Sequence, residues 1–249
     1  MFHIAEPASI FGFWTEGPGP LGKGFPIPCR DAWRTFDPGF EVFDDTAVLN
    51  ALSSWPAVVL DLYLDIRIPA CRSDIARLAL LKARGGTYID GHTVPGDFDI
   101  LRNYMHSSTM FDLTIPEIDS QESSIPFNRI FNSPISARPY ADILGDLLTR
   151  AFANLRFQRD IERSNRGALT AYSIFDLTGP NMIRDKLIDF SYSPPRPFNT
   201  YRDLFQVYSL NRGGIGPFRL YWYDKYRLGA NHWTSREKQE PLFFSSGLC

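Results

Sequence analysis

The chain has 249 residues, 44% hydrophobic and 22% charged, enough to close a full core at the upper end of single-domain size. Its 18 glycines and 19 prolines fall well short of the roughly 25–30% that marks low-complexity chains, which excludes wholesale disorder. The 26 basic against 28 acidic residues give a net charge of -2, so no electrostatic footprint for nucleic acid is present.

Ser9 to Trp14 is a short apolar, aromatic run that ends in a Gly/Pro-rich stretch from Gly17 to Pro28, the pattern of a buried strand and a loop. Cys29 to Phe36 carries apolar positions at helical spacing, Asp37-Pro38-Gly39 breaks them, and Phe40 to Phe43 alternates as a strand. Asp44-Asp45-Thr46 offers an N-cap to a helix over Ala47–Ser53. Ser73-Asp74 precedes Ile75–Arg84, a run of good helix formers closed by Gly85-Gly86, so a helix is expected to start near Asp74. Thr87 to Asp90 reads as a short β-branched and aromatic strand whose last carboxylate stands at the C-terminal end, where open α/β sheets place ligands. Strands are predicted at Phe111–Ile115 and Arg129–Phe131, an amphipathic helix at Tyr140–Leu155, and a helix over Asn181–Phe190 led in by Thr178-Gly179-Pro180. The segment from Ser191 to Cys249 is aromatic and basic, with strands predicted at Leu204–Leu210 and Phe218–Tyr223. There is no internal repeat and no long linker, so residues 1–249 read as one α/β domain with a less regular C-terminal portion.

The three cysteines, Cys29, Cys71 and Cys249, are odd in number and lack CxxC spacing, which suggests neither a disulfide framework nor a zinc cluster. The first residues lack the basic start and apolar run of a secretory signal, and no stretch of about 18 apolar residues occurs. A cytoplasmic location without a transmembrane segment is expected, and peripheral membrane association is compatible with it.

The segment Ser73-Asp74-Ile75-Ala76-Arg77, followed by Gly85-Gly86-Thr87-Tyr88-Ile89-Asp90-Gly91-His92, concentrates the chemistry. Asp74 and Arg77 are three apart and share a helix face, and Ser73 is expected at the mouth of the helix N-terminus, where N–H groups favour an anion. Asp90 and His92 are two apart, so on an extended backbone both point to one side and could hold one divalent cation. The plain structural alternatives are an N-cap paired with Arg77 for Asp74, a turn residue for Asp90, satisfied structural histidines for His92 and His232, and a core position for Trp14.

This stretch resembles the signature of glycosyltransferase family 32, the transferases with a DXD sugar-binding motif, whose relatives include yeast-type mannosyltransferases and clostridial glucosylating toxins. The family pattern runs S-D-x-x-R, a helix, then G-G-x-Y-x-D-x-D; this chain reads S-D-I-A-R and G-G-T-Y-I-D-G-H. Further pieces follow in order. Ile10–Trp14 is similar to the family's first strand, Trp33–Asp45 to its next stretch, and Asn128 to an asparagine that begins a strand-then-helix segment, with Ser133 and Tyr140–Leu144 following. Thr178-Gly179-Pro180 is similar to its T-G-P turn, and Ala230–Ser235 to a C-terminal element that closes over the diphosphate.

The resemblance implies a GT-A type nucleotide-sugar-binding fold, with a mixed, mainly parallel sheet flanked by helices, and retaining transfer from a nucleotide-diphosphate sugar. It implies catalytic roles for Asp74, Arg77, Asp90 and Asn128. Trp14, stacking on the base, would bind the donor with Ser73, Tyr88 and Ser235, and Asp90, His92 and His232 would hold Mn²⁺ or Mg²⁺. His92 stands where the pattern has its second acid; an imidazole is a poorer ligand than a carboxylate for Mg²⁺ and a reasonable one for Mn²⁺. The expected activity is hexosyl transfer from a UDP- or GDP-sugar donor to a glycan or glycolipid acceptor, in polysaccharide biosynthesis. The rival readings are a degenerate, non-catalytic nucleotide-sugar-binding protein, which His92 favours, and an effector that glycosylates a protein. GxxxxGK[ST] does not occur, and the G-x-G-x-x-G spacing of Gly17, Gly19 and Gly22 falls in the Pro-rich loop from Gly17 to Pro28 and opens no predicted helix, which disfavours other nucleotide-binding α/β classes.

Overall fold

The computed structural model describes residues 9–15, 24–118, 126–165, 169–210, 216–220 and 232–244. The chain runs β1 (Ile10–Phe13), α1 (Ile27–Phe36), β2 (Glu41–Phe43), α2 (Asp45–Ala51), α3 (Ala57–Asp65), α4 (Pro69–Arg84), β3 (Gly86–Ile89), β4 (Val94–Pro95), α5 (Phe98–Ser108), β5 (Leu113–Ile118), β6 (Ile135–Ala137) and α6 (Asp142–Ser164). There follow α7 (Ile174–Leu177), α8 (Pro180–Leu187), β7 (Ile188–Asp189), β8 (Arg196–Pro197), β9 (Phe205–Leu210), β10 (Phe218–Arg219) and α9 (Trp233–Arg236).

Six strands form one sheet in the order β2-β1-β3-β6-β5-β9. β1 is parallel to β2 and β3, β5 is parallel to β9, and β6 runs antiparallel to both its neighbours. The sheet is therefore mixed and mainly parallel, as expected, and helices cover it because parallel neighbours need crossover connections. Side chains alternate between its faces. Phe11, Phe13, Tyr88, Leu113 and Ile115 pack with Val48, Leu62, Leu78 and Leu147 of α2, α3, α4 and α6, whereas Ile10 and Ile89 pack with Trp33 of α1 and Leu101 and Tyr104 of α5.

Most elements lie close to their expected positions. Asp44 caps α2, accepting from the Ala47 N–H at 3.2 Å. α4 differs in its start: it begins at Pro69 rather than near Asp74. Proline is well suited to the first helical position, where its fixed φ fits and its missing N–H costs nothing. Ser73 therefore lies inside the helix, and the expected anion site at its mouth is not formed there. The strand expected at Arg129–Phe131 is a single bridge between Glu117 and Ile130, and the strand that follows it is β6, which pairs with β3 and β5. α8 stops at Leu187 because Ile188 and Asp189 pair with Pro197 and Arg196. Of the expected Phe218–Tyr223 strand, Phe218–Arg219 pairs with β4, and residues 221–223 lie outside the described residues, as do Ala230, Asn231 and Cys249. Among the described residues no helix is long and apolar enough to cross a membrane.

Candidate active site

β1, β2, β3 and β5 end at the same edge of the sheet, and β6, running the other way, begins there. The register pairs Tyr88 with Ile135, so residues just before Ile135 lie beside those just after Tyr88. Ser133 accordingly accepts from the Asp90 N–H through its hydroxyl oxygen at 2.8 Å. Trp14 leaves β1 at this edge, its N–H donating to the Phe43 carbonyl at 2.9 Å. This is the edge where open α/β sheets bind ligands.

α4 crosses behind the edge and delivers Asp74 and Arg77 one turn apart. Both are buried, at 5% and 4% exposure. Arg77 Nη2 stands 3.0 Å from Asp74 Oδ1 and 3.5 Å from Asp90 Oδ1. Its Nη1 donates to the Asn132 carbonyl at 2.6 Å and its Nε to the Ser73 carbonyl at 3.2 Å, and the guanidinium lies 4.8 Å from the centre of the Tyr88 ring. The Tyr88 hydroxyl donates to Asp90 Oδ1 at 2.9 Å. Asp74 accepts from Asn132 Nδ2 on Oδ1 and from the Thr178 hydroxyl on Oδ2, each at 2.9 Å. One buried cation thus organises two carboxylates. A guanidinium does this better than an ammonium, because its planar fork reaches several acceptors at once.

Burial pushes the Asp74 carboxyl up to about 6, against the opposing pull of Arg77, Thr178 and Asn132, while Asp90 adds to the rise. Burial also works against the charge on Arg77, but Tyr88, Asp74 and Asp90 around it outweigh this, and its pKa stands above that of an ordinary arginine. The Tyr88 phenol is held well above its usual range, first by burial and then by Asp90. At neutral pH the cluster therefore holds a neutral Tyr88 phenol against the Arg77 cation, with the Asp74 carboxyl closer to protonation than an ordinary aspartate.

The backbone turns after Asp90 instead of staying extended: the Thr93 N–H donates to the Asp90 carbonyl at 3.0 Å, and the buried Trp33 indole donates to the Thr93 carbonyl at 2.7 Å. The expectation that Asp90 and His92 point the same way rested on an extended chain, and this turn removes its basis. Gly91 leaves room at the tip, since a Cβ there would come within 3.1 Å of both Trp14 Cζ3 and Pro26 Cδ, and these side chains would have to shift. Trp14 thus packs directly over the Asp90–His92 turn. His92 is itself buried, at 7% exposure. Asp90 Oδ1 is already engaged by Tyr88 and Arg77, and among the described residues no group of three or more His, Cys, Asp and Glu is placed to hold a metal ion. Asp90, His92 and His232 do not gather into one three-ligand group among the described residues.

His232 and Ser235 belong to α9 and its approach, where the Ser235 N–H donates to the His232 carbonyl at 2.9 Å. α9 docks on α7: Trp233 packs edge-to-face on Phe175 with 5.2 Å between ring centres, and Glu237 accepts from the Ile174 N–H at 3.3 Å. Asn128 is exposed in a turn, and the asparagine beside Asp74 and Arg77 is Asn132. The structure brings together Asp74, Arg77, Tyr88 and Asp90, with Trp14 beside them. Ser73 supplies only its carbonyl to Arg77. Asn132 is a site residue that the sequence pattern did not mark, whereas Ser133 and Thr178 lie in the segments matched by the resemblance without having been given a role there. A separate cleft of about 390 Å³ between α6, α8 and residues 198–201 is lined by Arg150, Asn154, Asp176, Lys186 and Tyr201 and includes none of these side chains.

No sequence-family model matches the chain, and no curated protein matches it either. Among solved structures it is similar to the PaToxG glycosyltransferase, at 16% identity and a TM-score of 0.45 over 73% of this chain and 69% of that one. It is also similar to the UDP-bound glycosyltransferase domain from the YGT toxin, at 12% identity and a TM-score of 0.47 over 79% of this chain and 56% of that one. The ligand-free form of that toxin domain matches at 11% identity and a TM-score of 0.41, over 67% of this chain and 52% of that one. The chain thus spans a little over half the length of the two YGT toxin chains it matches.

Proposed function

We propose that the chain is a glycosyltransferase that takes a sugar from a UDP- or GDP-linked donor bound across Trp14, Asp74, Arg77 and Asp90 and passes it to a hydroxyl of a glycan or glycolipid. The observation that carries this reading is the buried Asp74–Arg77–Asp90 network at the carboxyl edge of a mainly parallel sheet. Each part suits a part of such a donor. Carboxylates accept hydrogen bonds from sugar hydroxyls. An aromatic ring at the strand end offers a face to a base. A guanidinium held in a water-poor site opposes the negative charge that grows on a departing diphosphate. Arg77 also holds both carboxylates in place and opposes the rise that burial imposes on Asp74.

A second reading, donor binding without turnover, is favoured by the turned Asp90-Gly91-His92 segment, in which an imidazole stands where the resembled motif has its second acid. One experiment separates the two. The protein is titrated by calorimetry with UDP-glucose, UDP-galactose, UDP-N-acetylglucosamine and GDP-mannose, and release of UDP or GDP is followed with water or oligosaccharides as acceptor. Release from one donor that is lost in D90A supports the transferase; saturable binding without release supports the second reading. Absence of binding by every donor overturns both.

A further inference from the structure

Asp74 is held from two sides. On Oδ1 it meets Asn132 and Arg77, contributed by the sheet edge and α4; on Oδ2 its partner among the described residues is the hydroxyl of Thr178, from the turn between α7 and α8. Thr178 is 1% exposed, so the bond from its hydroxyl to a carboxylate, charge-assisted, is shielded from water. The turn is built to reach this point. A Cβ at Gly179 would lie 2.9 Å from Phe175 Cα and 3.3 Å from Asp74 Oδ2, so the backbone approaches the carboxylate as only a glycine permits. α7 is itself fixed: Asn154 Nδ2 donates to the Leu177 carbonyl at 2.9 Å, and α9 docks on it through Trp233 and Glu237. The Cys71 sulfur lies 3.6 Å from the same hydroxyl, and burial raises its thiol far above the ordinary range, so it stays protonated and brings no second anion.

We propose that Thr178 is a positioning residue of the donor site: by fixing the plane of Asp74 it leaves the carboxylate a single acceptor position, on Oδ2, for one hydroxyl of the donor sugar. The count follows from the roughly four acceptor positions of a carboxylate. Two on Oδ1 go to Asn132 and Arg77, and one on Oδ2 goes to Thr178. The inference rests on the reading of this edge as a nucleotide-sugar site, and it adds that Asp74 reads one hydroxyl rather than two.

The test compares Thr178→Val, which keeps the shape and removes the donor, with Thr178→Ser, which keeps the donor. The first readout needs no ligand: the ¹³C titration of the Asp74 carboxyl, assigned with D74N. The other groups facing Asp74, namely Arg77, Asp90, Tyr88 and Cys71, are the same in all variants. T178V is expected to raise the Asp74 midpoint by roughly one pH unit, the equivalent of one charge-assisted hydrogen bond, and T178S to titrate like the wild type. An unmoved midpoint in T178V, or a T178S that follows T178V, overturns the proposal. If T178V does not fold, T178A takes its place, since it loses the same hydroxyl without adding bulk. The second readout is nucleotide release from whichever donor of the calorimetric panel the wild type turns over, or its Kd if there is no release. T178V should raise KM or Kd about tenfold, and T178S should restore it. If no donor binds the wild type, the donor-site reading fails, and with it the inference; if donors bind and T178V changes neither the midpoint nor the affinity, the inference alone fails.

Discussion

Asp74 is a carboxylate that the fold would rather keep neutral. Its pKa rises from 3.8 to about 6, with burial as the main cause. Below the lower value both the folded and the unfolded chain are protonated and nothing is lost. Between about pH 4 and 6 the unfolded chain gives up this proton first, so stability falls as pH rises, and above 6 the penalty levels off at about 3 kcal/mol. D74N removes the penalty. Its unfolding free energy should match the wild type near pH 4 and exceed it by up to that amount above pH 6, while donor affinity is lost; urea titrations across the pH range read the first and calorimetry the second. Such a trade of stability for function is what a binding site built on buried charge entails. His92 is the other informative position. With Asp90 Oδ1 engaged by Tyr88 and Arg77, donor turnover should be unchanged by EDTA, whereas H92D, which places a second acid in the turn, should gain stimulation by Mn²⁺; UDP or GDP release with and without chelator measures both. Asp74, Arg77, Tyr88 and Asp90 were legible in the sequence because they sit in one ordered motif on adjoining elements. Asn132 was not: Phe127-Asn128 and Phe131-Asn132 are the same dipeptide, and only the β3–β6 register, which no local pattern encodes, decides which asparagine reaches Asp74.

The strands and helix ends marked by strong local chemistry, such as β1, β2, α2 with its Asp44 cap, and β3 after the glycines that close α4, could be read along the chain. The start of α4 could not, because Ser73-Asp74 has the composition of a cap while Pro69 upstream has the geometry of a first turn. Buried tertiary partners made an interior aspartate tolerable there, and a single sequence does not display them. α3 was missed for a related reason: Ala57-Val58-Val59-Leu60 is rich in β-branched residues and lacks a capping side chain, so packing, not propensity, makes it helical. α5 had a usable signal in Asp97, whose carboxylate accepts from the N–H groups of Asp99 and Ile100 at 3.0 Å. The α7–α8 turn carries the prediction at this scale. G179A should cost about 1–3 kcal/mol by forcing the turn away from Phe175 and Asp74, and it should weaken donor binding as well. Thermal melts and calorimetry on the same sample would show both, and a variant that melts like the wild type would contradict the close approach.

At the scale of the whole molecule, residues 241–244 are built into the body. Leu242 and Phe243 are fully buried; the Leu242 and Phe243 N–H groups donate to the two carboxylate oxygens of Glu162 at 2.9 and 3.3 Å, and the Leu242 carbonyl accepts from the Arg67 N–H at 2.7 Å. L242A should therefore cost about 2–5 kcal/mol, as for any large buried side chain cut to alanine, read as a lower urea midpoint at unchanged slope. The fold class was legible from the alternation of strands and helices, but the sheet order was not, since β6 inserts antiparallel between β3 and β5 and only long-range pairing sets that. The ladder between β5 and β9 has a consequence of another kind. It joins six consecutive pairs from Leu113↔Phe205 to Ile118↔Leu210, and its Gln206–Thr114 side-chain bond spans 92 residues. Such a pairing forms late, after the intervening helices have brought its ends together. Until then β5 stands as the outermost strand, with Leu113, Ile115 and Ile118 along it and a row of unpaired amides that any second chain could complete. Refolding at high concentration should thus lose material to aggregates seeded through this edge, and dilution, by giving β9 time to arrive before a stranger does, is the natural remedy.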